Sequence, residues 1–473
     1  EIRPRDWSSD VCSSDLLNLF NTRSREISEF KPLNKGKVGI YVCGATVQSS
    51  PHIGHVRSAV NFDILRRWLI KSGLEVTFIR NVTDIDDKIL QKAVTEKMPW
   101  WALAMKYERE FLAAYSALNV LPPTYEPRAT GHIPQMIELM QRLIERGMAY
   151  APGNGDVYLE VKKLDSYLTL SRQKLDDLQS PGDTEDRAKR DSRDFALWKA
   201  AKPGEPSWPT PWGDGRPGWH LECSAMARAY LGDEFDLHGG GLDLIFPHHE
   251  NEIAQSEAAG YKFARNWMHN AWVTQSGEKM SKSLGNTLQV NELLKQVRGI
   301  ELRWYLGSAH YRSMLEFSTE ALQESATAFQ RIENFLNRAK ELVGEFSGQV
   351  TKEMTAAFDD DLAVPQVLAL ISESLREGNS AITSGDKAKI KVSAAAIRGA
   401  LEILGCDPFD SNFASTGPDL SGALDGVIKL ALEQRDAARA RKDFAAADQI
   451  RDGLASIGII IEDTAQGARW SLK

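Results

Sequence analysis

The first clear pattern along the chain is a short apolar run followed by apolar residues at helical spacing. Residues 38–42 are apolar throughout, which is typical of a strand buried on both faces. Residues 56–69 repeat apolar side chains at helical spacing, and residues 76–79 form a second apolar run. This order predicts a βαβ unit of a doubly wound parallel sheet. Such sheets bind nucleotides at the turn after a strand, so we expect a ligand site at residues 43–55.

Beyond this unit, the pattern predicts an interruption of the sheet and then a helical region. After about Tyr125, an amphipathic helix precedes charged sequence and then Pro-, Gly- and Trp-rich sequence, which is typical of an insertion. Residues 221–230 predict a helix, residues 235–237 a strand and Gly239–Gly241 a tight turn, so the sheet resumes there. From about Thr319, helical periodicity in Ala-, Leu- and Glu-rich sequence predicts a bundle.

These patterns predict an α/β fold class. It comprises a Rossmann-type doubly wound parallel sheet with an insertion, followed by an all-α helical bundle and a small C-terminal domain. The predicted parts are a first segment, 1–16; the first half of the catalytic domain, 17–125; the insertion, 126–215; the second half of the catalytic domain, 216–318; the bundle, 319–406; a linker, 407–422; and the C-terminal domain, 423–473.

The C-terminal domain combines an apolar stripe with a basic face. The stripe repeats at helical spacing and consists of Leu424, Val427, Ile428, Ala431 and Leu432. The basic residues that follow are Arg435, Arg439, Arg441, Lys442 and Arg451. Together with an exposed Trp470, they are suited to phosphate contacts and to stacking on an unpaired base. The alternative is an ordinary solvated helix.

Composition limits the class of protein. The chain has 473 residues, 42% hydrophobic and 26% charged, which is ordinary for globular protein with several domains. No apolar run reaches the roughly 18 to 20 residues of a membrane span. Acidic residues at Glu1, Asp6 and Asp10 do not fit a secretory signal, so we expect a cytoplasmic location. The net charge of −8 argues against binding nucleic acid through bulk positive charge, although a local basic patch remains possible.

Four cysteines are too few and too scattered for a disulfide framework. They are Cys12, Cys43, Cys223 and Cys406, and each can be a core residue, a metal ligand or a free thiol. His248 and Glu252 lie four residues apart on one predicted helix face. With Cys43 and Cys223 they make a credible tetrahedral set for Zn²⁺. Taken singly, a cysteine is more often a small buried hydrophobe, and a helical His/Glu pair is more often a surface pair.

Two motifs are suited to binding a triphosphate. His52-Ile53-Gly54-His55 lies between the first strand and the first helix, where imidazoles and helix amides could contact phosphates, although a capping role is an alternative. Lys279-Met280-Ser281-Lys282-Ser283 follows a predicted strand at residues 271–274 and presents two ammonium groups, although a solvated basic loop is an alternative. Together and in this order, they resemble the paired ATP signatures of class I aminoacyl-tRNA synthetases.

The resemblance narrows further when other segments are included. From about Leu17 to the C-terminus the chain resembles the cysteinyl-tRNA synthetase family. The segments that carry this resemblance are Cys43-Gly44-Ala45-Thr46-Val47, Arg80 to Lys88, Trp219 to Met226, His238-Gly239-Gly240-Gly241 with Asp243, and Phe246 to Glu252. Departures are mild: Gln48 to Pro51 and Ser192 differ from common family residues. Residues 1–16 match nothing, and we interpret them as a non-native segment.

The resemblance implies the chemistry and the residues that perform it. It implies one Zn²⁺ bound by Cys43, Cys223, His248 and Glu252, with the substrate thiolate as a further ligand, and Mg²⁺ accompanying ATP. Catalysis is implied for His52, His55, Lys279 and Lys282. ATP binding is implied for these residues and for Gly240, Gly241, Asp243, Met280, Ser281 and Ser283. The amino-acid pocket is implied for Gly44, Thr46, Thr83, Trp219 and His238.

The resemblance also implies the partners. We expect L-cysteine, ATP and tRNA(Cys), with residues 423–473 as the anticodon-binding domain, no membrane association, and a monomer. Cys12 and Cys406 receive no role. Two alternatives remain: a cysteine ligase of mycothiol biosynthesis, which resembles the same catalytic half, and a catalytically inactive relative that only binds tRNA.

Overall fold

The computed structural model describes residues 17–175, 188–275, 278–279, 288–414, 421–464 and 467–472. The chain divides into two compact units, Glu1–Pro408 and Phe409–Lys473. Among the described residues, no helix combines the length and the apolar character needed to cross a membrane.

The secondary structure alternates between strands and helices through the first unit and is mainly helical from Thr319. The strands are β1 (Asn18–Asn21), β2 (Glu26–Glu29), β3 (Lys37–Val42), β4 (Glu75–Arg80), β5 (Ala149–Tyr150), β6 (Val157–Leu159), β7 (Phe195–Ala200), β8 (Gly215–Pro217), β9 (Glu234–Gly241), β10 (Phe263–Asn270), β11 (Val273–Gln275), β12 (Glu278–Lys279), β13 (Leu315–Glu316), β14 (Ile459–Thr464) and β15 (Gly467–Leu472). The helices are α1 (Ile53–Lys71), α2 (Asp87–Glu96), α3 (Trp100–Ala117), α4 (Ile133–Glu145), α5 (Trp219–Leu231), α6 (Glu250–Ala258), α7 (Val290–Leu293), α8 (Gly299–Gly307), α9 (Thr319–Val343), α10 (Lys352–Asp359), α11 (Val364–Ser384), α12 (Lys387–Leu404), α13 (Ser411–Ala414), α14 (Ser421–Ala440) and α15 (Phe444–Ser456).

A parallel sheet with strand order β10-β9-β3-β4 forms the centre of the first unit. The chain crosses from β3 to β4 through α1 and later returns to the other side of β3 with β9. The strand order therefore reverses between β3 and β9, and the carboxyl ends of these two strands border the crevice where such sheets bind ligands. The predicted βαβ unit is confirmed, because β3, α1 and β4 each contain the predicted segment.

Helix α1 is buried on most of its surface. Its apolar residues Val56, Val60 and Ile64 are at most 2% exposed, and the polar residues Arg57 and Asp63 are buried equally deeply. A helix that is buried on opposite faces must satisfy its polar side chains inside the protein. These two side chains therefore join α1 to neighbouring segments, as described below.

The glycines at the end of β9 do not form a turn, so that prediction was wrong. Gly239–Gly241 are the last three residues of the strand. A Cβ atom on Gly239 would lie 2.3 Å from the ring of Phe62 on α1, and one on Gly240 would lie 2.8 Å from the side chain of Leu244. Close packing therefore favours glycine at both positions, because a side chain on Gly239 would push α1 away from the sheet and one on Gly240 would displace Leu244.

An antiparallel sheet with strand order β5-β6-β7-β8 lies in the region predicted as an insertion. The predicted amphipathic helix is α4, and Met136 and Leu139 on it join one buried cluster with Trp198 of β7 and with residues of the parallel sheet. The insertion therefore shares its hydrophobic core with the parallel sheet. Part of its charged stretch, residues 176–187, lies outside the described residues.

Helices α9 to α12 follow, in the region predicted as a bundle. Side chains of Ser318, Thr351 and Asp386 accept backbone hydrogen bonds at the starts of α9, α10 and α12. Such caps satisfy the amides that lack partners at helix starts. The boundaries that we predict within this first unit stay predictions.

The second unit contains α13, α14, α15 and the hairpin β14–β15. Its predicted surface is partly wrong. Ile428 is buried as expected, but Val427 is 65% exposed, and Arg435 is only 4% exposed and so does not belong to a basic face. Arg439, Arg441, Lys442 and Arg451 are exposed. Trp470 is half-buried, and its Nε1 donates to Asp425 Oδ1 at 3.0 Å.

Candidate metal centre and active site

The four predicted metal ligands lie together at the carboxyl end of β3. Cys43 follows β3, Cys223 lies on α5, His248 precedes α6 and Glu252 lies on α6. Cys43 Sγ lies 3.7 Å from Cys223 Sγ, 3.3 Å from His248 Nε2 and 3.4 Å from Glu252 Oε1. His248 Nε2 lies 3.1 Å from Glu252 Oε1, as expected for residues four apart on one helical face.

These distances fit a tetrahedral zinc ion. Zinc–sulfur and zinc–nitrogen bonds of roughly 2.3 and 2.05 Å place two tetrahedral sulfur ligands about 3.8 Å apart, and a sulfur and a nitrogen ligand about 3.5 Å apart. The corresponding separations here are 3.7 Å between the two sulfurs and 3.3 Å between Cys43 Sγ and His248 Nε2. The donor atoms could therefore hold Zn²⁺ with shifts of a few tenths of an ångström.

Three neighbouring side chains hold the imidazole and the carboxylate in place. Nδ1 of His220 lies 2.9 Å from Nδ1 of His248, and the Trp219 ring stacks on the His248 ring at 4.2 Å between centroids. Nε2 of His238 lies 2.9 Å from Glu252 Oε2. Such partners fix the orientation of metal ligands and raise metal affinity. The structure thus places two predicted pocket residues, Trp219 and His238, directly against predicted ligands.

Burial controls the protonation of the donor atoms. Burial raises the pKa of the Cys43 and Cys223 thiols. The contact with Cys223 raises the pKa of Cys43 further. Burial also lowers the pKa of His248 well below its usual value, and neighbouring His220 acts in the same direction. The imidazole is therefore neutral, as a metal ligand must be. A divalent cation would supply the charge that keeps the thiols as thiolates.

A second group of donors overlaps the first. Cys43, His238, His249 and Glu252 also bring ligand atoms within 4.8 Å of one another. His249 Nδ1 lies 2.7 Å from His269 Nε2, and His269 Nδ1 lies 2.8 Å from Thr22 Oγ1. Because the two groups share Cys43 and Glu252, and only the first has a second soft sulfur donor, the first group suits Zn²⁺ better.

The remaining predicted pocket residues lie beside Cys43. Thr46 and Thr83 pair as an isolated parallel bridge. The amide of Gly44 donates to Asn81 Oδ1 at 2.9 Å, and a Cβ atom on Gly44 would lie only 1.7 Å from the Asn81 carbonyl oxygen. The segment after β3 and the segment after β4 therefore pack so closely that only glycine fits at position 44.

The structure shows the capping role for the first predicted ATP motif, and phosphate binding by its histidines stays a prediction. The rings of His52 and His55 stack with centroids 3.6 Å apart. His52 Nδ1 accepts from the Gly54 amide and His55 Nδ1 accepts from the His52 amide, each at 3.2 Å. The imidazoles thus cap α1, the capping alternative, and this same helix start lies between the parallel sheet and residues 288–290.

Only the first residue of the second predicted ATP motif lies within the described part of the chain. Lys279 is the last residue of β12, whereas Met280, Ser281, Lys282 and Ser283 lie outside the described residues. The chain returns where the Ile53 amide donates to the Leu288 carbonyl at 2.9 Å and the Val290 amide donates to the Pro51 carbonyl at 3.1 Å. Backbone hydrogen bonds therefore join the start of α1 to residues 288–290, which follow the second motif in the sequence.

The residues predicted to contact the adenosine lie at the end of β9 and just after it, at the same edge of the sheet. Gly240 and Gly241 end the strand, and the exposed Asp243 accepts a hydrogen bond from Trp272 Nε1 at 3.3 Å. A Cβ atom on Gly241 would lie 2.5 Å from Asp243 Oδ1. These residues border the crevice between β3 and β9.

Comparisons with known proteins agree with this arrangement. A family model described as tRNA synthetases class I (C) catalytic domain matches residues 29–327, and one described as Cysteinyl-tRNA ligase anticodon binding domain matches residues 418–470. A cysteine–tRNA ligase of Streptomyces griseus is 57% identical over 462 residues, which cover 96% of this chain and 99% of the relative. The chain belongs to the cysteinyl-tRNA synthetase family. A cysteine–tRNA ligase of Streptomyces coelicolor is 56% identical over 96% of this chain and 75% of the relative.

Solved structures confirm the fold. Methionyl-tRNA synthetase of Mycobacterium tuberculosis in complex with methionyl-adenylate has a TM-score of 0.56 and 16% identity, and the match covers 87% of this chain and 96% of that one. Family membership confirms the predicted class I synthetase fold and the predicted ligase class. The match to an anticodon-binding family model also disfavours the mycothiol-pathway alternative, because we expect such ligases to lack that unit.

Sequence reasoning missed several residues that support the site. His220 and Asn81 received no role, although each lies within a segment that carries the family resemblance. His220 and Asn81 contact His248 and Gly44, respectively. Adjacency to Trp219 was the available signal for His220. Arg57 is also missed, and it lies two residues after the first ATP motif.

Proposed function

We propose that the chain activates L-cysteine with ATP and transfers it to the 3′-terminal adenosine of tRNA(Cys). One observation supports this most directly: two thiols, a neutral imidazole and a carboxylate meet at the carboxyl end of β3, beside the crevice between β3 and β9. A metal-binding set placed there can contact the side chain of an amino acid whose carboxylate faces the nucleotide. Membership of the family supports the same reaction.

Cys43, Cys223, His248 and Glu252 would hold Zn²⁺, and the bound ion would offer the substrate thiolate a further ligand position. This chemistry separates cysteine from serine, because a neutral hydroxyl is a poor partner for a metal already bound by thiolates. Contacts with His220, Trp219 and His238 hold the two ligand side chains in fixed orientations. These are the imidazole of His248 and the carboxylate of Glu252. Gly44, Thr46 and Thr83 would line the remainder of the amino-acid pocket.

In the first step a carboxylate oxygen of cysteine attacks the α-phosphorus of ATP. The bond to the β-phosphate oxygen breaks, so cysteinyl-adenylate and pyrophosphate form. The carboxylate is already ionised and no general base is required, so catalysis depends on alignment and on charge stabilisation. The residues proposed for this stabilisation are His52, His55, Lys279 and Lys282, with Mg²⁺ on the phosphates. Gly240, Gly241 and Asp243 would contact the adenosine, and Met280, Ser281 and Ser283 would shape the lysine loop.

In the second step a ribose hydroxyl of the terminal adenosine, by family resemblance the 2′-hydroxyl, attacks the acyl carbon and AMP leaves. Residues 423–473 would read the anticodon, which the family match over residues 418–470 supports. Exposed Arg439, Arg441 and Lys442 are suited to phosphate contacts there. We further propose a monomer acting in the cytoplasm, where tRNA and ATP are found.

A truncation tests this proposal. A chain that stops after Gly417 lacks most of the second compact unit, Phe409–Lys473, and keeps the whole first unit. We expect it to retain one zinc ion and cysteine-dependent ATP–pyrophosphate exchange, while the KM for tRNA rises by at least about a hundredfold. The full-length chain is the control. Unimpaired charging by the truncated chain would refute the anticodon-reading role, and absence of exchange in the full-length chain would support the inactive relative.

A further inference from the structure

Arg57 on α1 is completely buried and is held by four backbone carbonyls. Its Nη1 donates to Ala271 O at 2.9 Å and to Trp272 O at 2.5 Å. Its Nη2 donates to Ser313 O at 2.5 Å and to His310 O at 3.4 Å. The side chain is 0% exposed. All four acceptors lie at least 214 residues further along the chain, so Arg57 joins distant segments.

These acceptors lie just before two strands of the three-stranded sheet that contains Lys279. Residues 271–272 directly precede β11, and residues 310–313 shortly precede β13. Strand β11 pairs with β13 on one side and with β12 on the other. Lys279 lies in β12 opposite Thr274 of β11. Arg57 therefore holds the segments that lead into β11 and β13, and β11 in turn pairs with the strand that contains Lys279.

Among the described residues, Arg303 is buried as deeply as Arg57 but is bonded differently. Arg303 also bonds to three carbonyls, but in addition it donates to the carboxylate of Asp63 at 2.6 Å. Each hydrogen bond that the described residues give Arg57 ends on a carbonyl. Burial lowers the pKa of Arg57 to about 10, so it stays charged at neutral pH. A buried cation is costly, and here the rigid five-donor fork of arginine is used to bind four carbonyls at once.

The described chain resumes at residue 288, next to the same helix start. The amides of Ile53 and Val290 bond to Leu288 and Pro51, respectively. Helix α1 thus contacts the chain both before β11 and after residue 287. We propose that Arg57 is a positioning residue that fixes β11 and β12, and with them Lys279, relative to His52 and His55. This inference rests on the proposed function of Lys279 and of the two histidines in ATP activation.

The closest test replaces Arg57 by lysine, which keeps the charge but cannot reach all four carbonyls. In Arg57→Lys we expect the kcat of cysteine-dependent ATP–pyrophosphate exchange to fall about a hundredfold, because displacement of a catalytic group by about 1 Å costs this much. The KM values for ATP and cysteine should stay within about threefold, and zinc content should be unchanged. Arg57→Gln, which keeps one amide donor, serves as a second variant if the lysine variant does not fold.

Arg303→Lys is the matched control, because it alters an equally buried arginine that bonds to none of residues 271–272 and 310–313. Its partners are Leu404, Leu118, Asn119 and Asp63. This variant should lower the melting temperature while leaving kcat within about threefold of wild type. Amide hydrogen exchange should become faster in β11 and residues 310–316 of the Arg57 variant only. Unchanged exchange in those segments, or an equal loss of kcat in both variants, would overturn the positioning role.

A double-mutant cycle with Lys279→Ala separates this inference from the function on which it rests. If Arg57 acts through the position of Lys279, the double variant should lose little more activity than Lys279→Ala alone. Losses that multiply would overturn the inference while leaving the role of Lys279 intact. A Lys279→Ala variant with wild-type exchange would instead overturn the proposed function of Lys279, and the inference with it.

Discussion

Two buried cysteines allow the metal hypothesis to be tested by counting protons. Cys223 and Cys406 are each 1% exposed, so Cys→Ser replacement removes a similarly buried sulfur in both cases. Cys223 Sγ lies 3.7 Å from Cys43 Sγ, whereas Cys406 Sγ lies 3.6 Å from the Leu404 carbonyl oxygen. The two substitutions should therefore differ in zinc binding, although they are alike in burial.

The expected magnitude follows from the pKa shifts. Burial raises the pKa of both Cys43 and Cys223, so in the zinc-free protein both thiols carry protons at neutral pH. Each must lose its proton to bind zinc, so higher pH strengthens binding. The neutral imidazole of His248 releases none, because its pKa is lowered. The two thiols should make the zinc association constant rise about a hundredfold per pH unit between roughly pH 6 and 8.

Cys223→Ser should remove one of these protons. The association constant should then rise only about tenfold per pH unit, and it should be weaker than wild type by more than the ten- to hundredfold typical for loss of an outer partner. Calorimetric titration of zinc-free protein in buffers of different ionisation enthalpy measures the proton count directly. Cys406→Ser should match wild type. If Cys223→Ser kept both the affinity and the two-proton count, Cys223 would not be a ligand.

Two further substitutions test the ATP loop and the amino-acid pocket. Lys282→Ala should lower the rate of ATP–pyrophosphate exchange by at least about a hundredfold, the loss typical of a transition-state electrostatic contact, with zinc content unchanged; exchange near wild type would exclude the loop from the ATP site. Gly44→Ala should raise the KM for cysteine at least about tenfold, since the new methyl group would lie 1.7 Å from the Asn81 carbonyl oxygen, whereas at Gly131 a Cβ atom meets nothing within 4 Å. Equal kinetics for Gly44→Ala and Gly131→Ala would contradict the close packing beside Cys43.

Local periodicity was sufficient to predict the centre of the sheet. The segments at 38–42, 56–69 and 76–79 lie within β3, α1 and β4, because a fully buried strand and a long helix leave clear apolar patterns. The antiparallel sheet of the insertion was not predicted. Three of its four strands are only two or three residues long, too short for a periodic signal.

The metal centre could not be derived from spacing alone. Cys43 contacts Cys223, His248 and Glu252, which lie 180, 205 and 209 residues away in the sequence. Only the family resemblance linked these residues. The supporting contact of His220 with His248 depends on how α5 packs beside α6, which no local pattern encodes. The prediction of a turn at Gly239 was wrong for the same reason. Glycine is needed there because the ring of Phe62, which is distant in the sequence, packs against it.

The central claim is that zinc selects cysteine by its thiolate. It is tested most directly by measuring ATP–pyrophosphate exchange with cysteine and with serine, first on the zinc-containing protein, then after zinc removal and after zinc is restored. We expect exchange with cysteine to exceed exchange with serine by at least about 10⁴-fold, to disappear with zinc and to return with it. A zinc-free protein that still folds, activates cysteine and rejects serine would contradict the account.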